Sequence, residues 1–167
     1  MKEIPLTRWQ VALCDDEDFD SLVQHSWYAH WSKTSQCFYA ISRINGKLVR
    51  MHRWLFGLTQ GKEIDHVDGN GINNQRLNLR LCSRSQNMAN TRLRVNNTSG
   101  YKGVDLHQCT GKWRALIQVQ HKRIHIGLFC SATEAALAYD KVASQYFGQF
   151  ASTNYSLGLL SIGTGGS

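Results

Sequence analysis

Apolar and polar residues alternate most clearly over residues 101–154. Such alternation predicts half-buried antiparallel strands with one apolar face and one polar, basic face. The apolar positions of the two predicted strands are Trp113, Ala115, Ile117, Val119, Ile124, Ile126 and Leu128. A third strand is predicted over residues 101–106, and the outward face is expected to present Arg114, Gln118, Arg123 and His125.

A helix is predicted to follow these strands. Ser131 to Glu134 has the form of a capping box, and Gly148 is typical of a helix end. The positions expected to cover the apolar face of the sheet are Ala135, Ala138, Tyr139, Val142 and Tyr146. Residues 101–154 are therefore predicted to form a three-stranded antiparallel sheet packed on one helix.

The pattern is more mixed in residues 1–95, where an α+β region is predicted. Residues 37–42 read as a strand, residues 48–56 suit either a strand or a short helix, and the acidic cluster at residues 15–20 reads as a solvated turn. Residues 91–100 are predicted to be an extended linker, with Arg92 and Arg94 placed to meet phosphates. Residues 155–167 are predicted to be a flexible tail.

Residues 65–74 are rich in turn formers, and two Xaa-Gly pairs ending at Gly69 and Gly71 supply positions that tolerate positive φ. A hairpin-like reversal is predicted there, followed by a short strand over residues 77–82. Ser83 is placed to cap a helix that ends near Asn90. These elements form the frame in which candidate chemistry lies.

The chain has 19 basic and 12 acidic residues, a formal net charge of +7. Residues 1–60 carry seven bases and six acids, whereas residues 61–95 and 96–167 each carry six bases and three acids. This excess favours a polyanionic partner such as nucleic acid, with an ordinary basic protein as the alternative. The five cysteines lack any C-x-x-C pair, and no long apolar run or signal-like start is visible. We therefore expect a cytoplasmic protein without a disulfide framework or a membrane partner.

Asp65, His66 and Asn87 form the candidate chemical site. Asp65 offers a hard oxygen ligand suited to Mg²⁺ or Mn²⁺, and Asn87 could add a second oxygen. His66 can accept a proton near neutral pH. Successive strand residues point to opposite faces, however, so Asp65 and His66 can address one phosphate only at a strand end or bend. A polar turn with a structural histidine remains the alternative.

Several motifs resemble the HNH (His-Asn-His) endonucleases, and among them the phage and intron-encoded homing enzymes with a ββα-metal core. They are His52-Arg-Trp-Leu-Phe-Gly, Ile64-Asp-His-Val-Asp-Gly-Asn, Asn73-Asn, Asn78-Leu-Arg and Gln86-Asn-Met-Ala-Asn. The resemblance implies that His66 is the general base and that Asn78 positions this histidine and the strands. It also implies that Asp65 and Asn87 hold the metal. The implied core spans about residues 47–90, within an N-terminal region of residues 1–95.

A second resemblance covers residues 101–154, which are similar to the Apetala-two (ethylene-response-factor) domain. The motifs are Ser99-Gly-Tyr-Lys-Gly-Val, Gly111-Lys-Trp-Arg-Ala, Ile126-Gly-Leu-Phe, Glu134-Ala-Ala-Leu-Ala-Tyr-Asp and Phe147-Gly-Gln-Phe-Ala-Ser-Thr-Asn. That family lays a three-stranded sheet into the DNA major groove. Asp105 and His107 stand where plant members commonly have arginines, so the plant target sequence is not transferred.

The expected function is site-specific cleavage of double-stranded DNA by a homing-type endonuclease, with one Mg²⁺ or Mn²⁺ per active site. A restriction-type or low-specificity HNH nuclease and a non-catalytic DNA-binding regulator are the alternatives. The chain is expected to act as a monomer or homodimer. The residues expected to contact DNA are Arg92, Arg94, Lys102, Lys112, Arg114, Gln118, Arg123 and His125.

Overall fold

The computed structural model describes residues 1–57, 61–91, 93, 96–120 and 122–160. Contacts along the chain divide it into two units, Met1–Asn87 and Met88–Ser167. Both units combine short helices with antiparallel strands, so the mixed helix-and-sheet class expected from the sequence is confirmed at that level. Among the described residues, no helix has the length and apolar character needed to cross a bilayer.

The first unit contains three small antiparallel sheets. Strands β1 and β2 pair as a hairpin, β3, β4 and β5 form a sheet in that order, and β6 pairs with β7. The elements in chain order are β1 (Lys2–Pro5), β2 (Val11–Cys14), α1 (Asp16–Leu22), β3 (Tyr28–Ser32), β4 (Cys37–Ile44), β5 (Lys47–Arg50), α2 (Met51–Phe56), β6 (Glu63–His66), a 3₁₀ turn (Arg76–Asn78), β7 (Leu79–Cys82) and α3 (Arg84–Ala89). The ambiguous segment 48–56 is thus a strand end followed by a helix.

The core of the first unit forms where β1, β2, α1 and α2 meet β4. Leu22, Met51 and Cys14 are fully buried, and Trp27 packs with them while its indole Nε1 donates to the Leu22 carbonyl at 2.8 Å. The turn-rich segment joins this core through the backbone, because the Asn74 amide donates to the Leu13 carbonyl at 2.8 Å. The turn before β7 is therefore fastened to β2.

The acidic cluster is helical rather than the turn that the sequence suggested, although Asp16, Glu17 and Asp20 are exposed as expected. It forms α1, and Asp18 is buried in an ion pair with Arg76, with Nη2 at 2.6 Å and Nε at 2.9 Å from its two oxygens. Asp15 accepts the Arg76 backbone amide at 2.7 Å. These acids hold the turn-rich segment in place, a contact that spans about sixty residues and leaves no local signal in the sequence.

The second unit has the predicted sheet of three strands. Strands β8 (Val104–His107), β9 (Lys112–Val119) and β10 (Lys122–Phe129) are antiparallel in the order β10-β9-β8. The register shifts between His125 and Gly127, which leaves Ile126 as a bulge. The alternation predicted for Leu128 is therefore wrong: Leu128 is exposed opposite Arg114, and Phe129 packs against the core instead.

Helix α4 (Ala132–Phe147) packs on the inner face of this sheet. The Ser131 hydroxyl accepts the Glu134 amide at 3.1 Å, and Gly148 ends the helix with φ at 51°, which confirms both predicted caps. Tyr146 is exposed, contrary to the prediction, because the buried stripe is displaced by one residue. Its buried members are Ala135, Ala136, Tyr139, Ala143 and Phe147. At Gly103 a Cβ would overlap the Tyr139 ring.

Two segments predicted to lack structure are partly ordered. Within the predicted linker, Asn97 accepts the Gly100 amide at 2.7 Å and Ser99 donates to the Val104 carbonyl at 2.7 Å, so polar side chains fold this part into a turn. Within the predicted tail, Leu160 is buried with the core of the second unit. The glycine-rich residues 161–167 lie outside the described residues.

Candidate functional site

The candidate site is built on the β6–β7 hairpin and α3. Asp65 pairs with Arg80 and His66 with Leu79 in the antiparallel register, and α3 begins directly after β7. Ser83 caps this helix reciprocally, because its hydroxyl accepts the Gln86 amide at 3.2 Å while the Gln86 side chain accepts the Ser83 amide at 2.8 Å. The segment thus consists of two antiparallel strands followed by a helix.

The carboxylate of Asp65 is buried and paired. The Arg80 guanidinium donates to Asp65 Oδ2 from Nε at 3.0 Å and from Nη2 at 2.8 Å, and only 6% of the Asp65 residue is exposed. Because both residues are withdrawn from water, each charge depends on the other for compensation. The sequence predicts Asp65 to be a metal ligand, which stays a prediction, and does not point to Arg80 as its partner.

The imidazole of His66 lies in a buried aromatic cluster. Its ring centroid is 4.9 Å from that of His52 and 5.9 Å from that of Tyr39, and the residue is 5% exposed. Burial lowers the pKa of His66, and the Asn74 side chain partly opposes this shift. Burial together with the neighbouring His66 lowers the pKa of His52 to about 2. Both rings are therefore uncharged near neutral pH.

Asn78 fastens the turn that follows His66. Its side-chain amide donates to Asp68 Oδ1 at 2.9 Å and to the Asn73 carbonyl at 2.8 Å, and its Oδ1 accepts the Asp68 amide at 3.1 Å. Its backbone carbonyl also accepts the Val67 amide at 2.9 Å. These bonds hold the residues immediately after His66 and close the hairpin.

The two glycines of this turn serve different purposes. Gly69 has the positive φ expected of it, at 68°. Gly71 has no positive φ, so the prediction that this glycine is needed for a left-handed backbone conformation is wrong. A Cβ at Gly71 would lie 2.5 Å from the Phe38 carbonyl oxygen and 2.7 Å from the Tyr39 ring. Gly71 thus allows the turn to pack closely on β4, beside the aromatic ring that contacts His66.

Asn87 is hydrogen-bonded to a residue that the sequence did not single out. Its Nδ2 donates to Glu63 Oε2 at 2.5 Å. Glu63 is two residues before Asp65 on β6, so these two carboxylates project from the same face of the strand. A second carboxylate at a spacing of two before the Asp-His pair is the signal that could have identified Glu63.

Asp65 and His66 have separate surroundings, as strand geometry requires. Asp65 pairs with Arg80 and lies on the strand face that also carries Glu63, the partner of Asn87. His66 lies on the other face and contacts the rings of His52 and Tyr39. Among the described residues, no group of three or more His, Cys, Asp and Glu side chains is arranged to hold a metal ion. The oxygen donors suit a hard divalent cation, but the Arg80 guanidinium competes with a cation for Asp65.

The outer face of the second unit's sheet carries several predicted DNA contacts. Arg123 lies directly opposite Gln118 in the register. The exposed candidates are Lys112, Gln118, Arg123 and His125. Arg92 and Arg94, predicted to meet phosphates, lie outside the described residues.

Two other predicted DNA contacts are engaged within the protein. Arg114 forms a two-bond ion pair with Asp105 on the neighbouring strand, with both distances 2.9 Å, so this part of the face is not free. Lys102 Nζ donates to the carbonyls of Ala89 and Thr91 at 2.6 and 2.7 Å, and burial lowers its pKa to about 8. The Lys102 ammonium thus has a structural use that its position in the sequence did not reveal.

Comparison with known families finds a match over the hairpin-and-helix segment. Residues 50–89 match the HNH endonuclease family. The match includes Asp65, His66, Asn78 and Asn87, and it supports a DNA nuclease. No solved structure matches the chain.

Similar proteins fall into two groups. Protein 3.8 of Escherichia phage T7 is 35% identical over 66 residues, which is 40% of this chain and 54% of the phage protein. APETALA2-like protein 2 of Oryza sativa subsp. indica is 42% identical over 60 residues, or 35% of this chain and 14% of the rice protein. An AP2/ERF and B3 domain-containing transcription factor of Arabidopsis thaliana, At1g50680, is 54% identical over 43 residues and matched over 12% of its length. The chain thus spans only part of these relatives.

Proposed function

We propose that this chain is a site-specific, divalent-metal-dependent DNA endonuclease of the homing type. The observation that carries the proposal is the HNH family match over residues 50–89, which includes all four residues of the candidate site. Strands β6 and β7 followed by α3 are consistent with a ββα-metal core. The similarity to proteins named APETALA2-like and AP2/ERF supports DNA as the partner.

His66 serves as the general base in this proposal. The lowered pKa keeps its imidazole uncharged near neutral pH, so the ring can accept a proton from the water that attacks phosphorus. Asn78 positions it indirectly, by holding Val67 and Asp68 next to it. Because His66 is nearly inaccessible, the proposal requires that DNA binding open one edge of the His52–Tyr39 cluster.

Asp65 and Asn87 hold the metal in this proposal. Both have oxygen donors, and a bound Mg²⁺ or Mn²⁺ would stabilise negative charge on the phosphoryl oxygens and leaving group. Two protein ligands bind such an ion weakly, so phosphate oxygens would complete the coordination. Asp65 must be released from Arg80 for this purpose, and the released guanidinium could then pair with a phosphate.

The three-stranded sheet selects the DNA site in this proposal. Arg123 and Gln118 stand opposite each other on its outer face and are both exposed, which suits contacts to base edges in the major groove. Arg123→Ala should therefore weaken binding to the cognate site by about ten- to a hundredfold and binding to random DNA much less. Parallel losses on both duplexes would show that the sheet does not read bases.

Metal dependence and specificity are tested with purified protein. Supercoiled plasmid should be nicked in the presence of Mg²⁺ and not in the presence of EDTA, since one active site per monomer cuts one strand. A protein that binds DNA but never nicks it would favour a non-catalytic regulator. Digestion of a long genomic substrate separates the nuclease classes: a homing enzyme yields a few discrete products, a restriction-type enzyme many, and a low-specificity enzyme a smear.

A further inference from the structure

The turn between β1 and β2 places two bulky residues in an unfavourable backbone conformation. Arg8 and Trp9 have φ of 58° and 57°, and the Gln10 amide donates to the Thr7 carbonyl at 3.3 Å across them. Positive φ at both central residues is the condition of a type I′ turn, which favours Asn-Gly strongly. The chain uses that favourable pair elsewhere, since Asn45 and Gly46 connect β4 to β5 with φ of 49° and 76°.

The strained turn displays its side chains instead of packing them. Trp9 is 100% exposed and Arg8 is also exposed. The Thr7 hydroxyl oxygen accepts the Ala29 amide at 3.1 Å, so the turn is fixed beside edge strand β3 rather than free to move. Strain that survives in a well-anchored turn and contributes nothing to the core is a sign of function.

A groove of about 500 Å³ lies between this turn and β3. Five of its seven lining residues are aromatic or basic, namely Arg8, Tyr28, His30, Trp31 and Lys33. In the part of the chain that the structure describes, no ion pair joins Arg8 or Lys33 to an acid. The acidic helix α1 follows Cys14, which pairs with Lys2 at the opposite end of the hairpin from this turn.

We propose that the Arg8–Trp9 turn and the adjacent groove form a further DNA-contacting surface on the first unit, in addition to the candidate site and to the sheet of the second unit. Arg8 and Lys33 contact phosphates, and the Trp9 ring packs against the deoxyribose rings of the duplex backbone. Neighbouring cations neutralise phosphates along a nucleic-acid backbone, and aromatic rings between them add apolar contact with its sugars. The choice of DNA rather than another polyanion rests on the proposed function.

The test replaces the strained pair with the pair that the other hairpin already uses. R8N/W9G should fold more stably than wild type, with a folding equilibrium constant raised about tenfold, because Asn-Gly relieves the strain. Its affinity for a short labelled duplex should fall by about tenfold or more, from the loss of one phosphate contact and one aromatic contact. Its plot of log affinity against log salt should be shallower by about 0.9.

A matched control removes one exposed cation and one exposed apolar side chain beside the Asn45–Gly46 tip. K47A/L48A should bind the duplex like wild type. Lys33→Ala leaves the turn intact and should weaken binding by about three- to tenfold with the same change in salt dependence. This second variant decides the question if R8N/W9G fails to fold.

Binding is measured by fluorescence anisotropy in EDTA, so that the result does not depend on cleavage. Wild-type affinity in R8N/W9G and Lys33→Ala would overturn the inference even if the protein is a nuclease. Weakened binding by a protein that never nicks plasmid would refute the proposed function and leave this surface in place. If sedimentation showed that Trp9→Ala abolishes a dimer while DNA binding is unchanged, the exposed ring would be a self-association site and the inference would be wrong.

Discussion

Acidification should destabilise the first unit through His52. This side chain is 3% exposed, and its pKa of about 2 in the folded state lies far below its ordinary value of 6.5. Below about pH 6.5, His52 therefore binds a proton in the unfolded chain but not in the folded chain. The free energy of unfolding decreases as the pH falls. A pH of about 5 lies roughly 1.5 pH units below the ordinary pKa of histidine, and each unit lowers the free energy of unfolding by about 1.4 kcal/mol. The free energy of unfolding is therefore lower at about pH 5 than at neutral pH by about 2 kcal/mol.

The measurement is urea unfolding at neutral pH and at about pH 5, followed by tryptophan fluorescence. Four of the five tryptophans lie in residues 1–57, so the signal reports mainly the first unit. Wild type should lose about 2 kcal/mol or more over this interval, since the lowered pKa of His66 acts in the same direction.

His52→Phe removes the titrating group and keeps a ring in the cluster. Its loss of stability on acidification should be about 2 kcal/mol smaller than that of wild type. As a control, His125 lies in the second unit, so its replacement by Asn should leave the unfolding of the first unit as in wild type at both pH values. If His52→Phe and wild type lost equal stability between the two pH values, the His52 side chain would not be buried in its neutral form beside His66.

Three further predictions test individual contacts. Arg80→Met should cost about 3–5 kcal/mol in urea unfolding because Asp65 is left buried without compensation, whereas D65L/R80M should recover most of that loss; equal stability of the single and double variants would contradict this. Asn78→Ala removes three side-chain hydrogen bonds from the turn and should lower the free energy of unfolding by about 1–3 kcal/mol, so an unchanged urea midpoint would argue against its fastening role. Asp105→Asn should raise affinity for any duplex by about three- to tenfold, since it releases Arg114 and removes a repelling charge; unaltered binding in competition assays would place this edge of the sheet away from DNA.

The local elements could be predicted well because their signals are local. The capping residues Ser83 and Ser131, the Gly148 helix end and the alternation along β9 each specify a few neighbouring residues, and the structure confirms them. The bulge at Ile126 was not predictable, because an extra residue in one strand is visible only against its partner.

The sequence proposes the candidate site as a set of residues but does not reveal how those residues are arranged. The sequence motifs predict roles for Asp65, His66, Asn78 and Asn87, but they do not predict the burial of the histidine or the pairing of the aspartate. Those features come from residues remote in sequence, such as Tyr39 packed beside the His66 ring. Motif matching reports which residue types recur, whereas burial and charge pairing depend on the tertiary contacts that the whole chain makes.

The general-base role of His66 is the central claim, and single-turnover nicking of supercoiled plasmid tests it most directly. Wild type and His66→Ala are compared in Mg²⁺ at protein concentrations that saturate binding, with affinity for the same DNA measured separately in EDTA. The account predicts nearly unchanged affinity and a nicking rate lower by about 10²–10⁴, the usual contribution of general-base catalysis. A His66→Ala protein that nicks at the wild-type rate would contradict it.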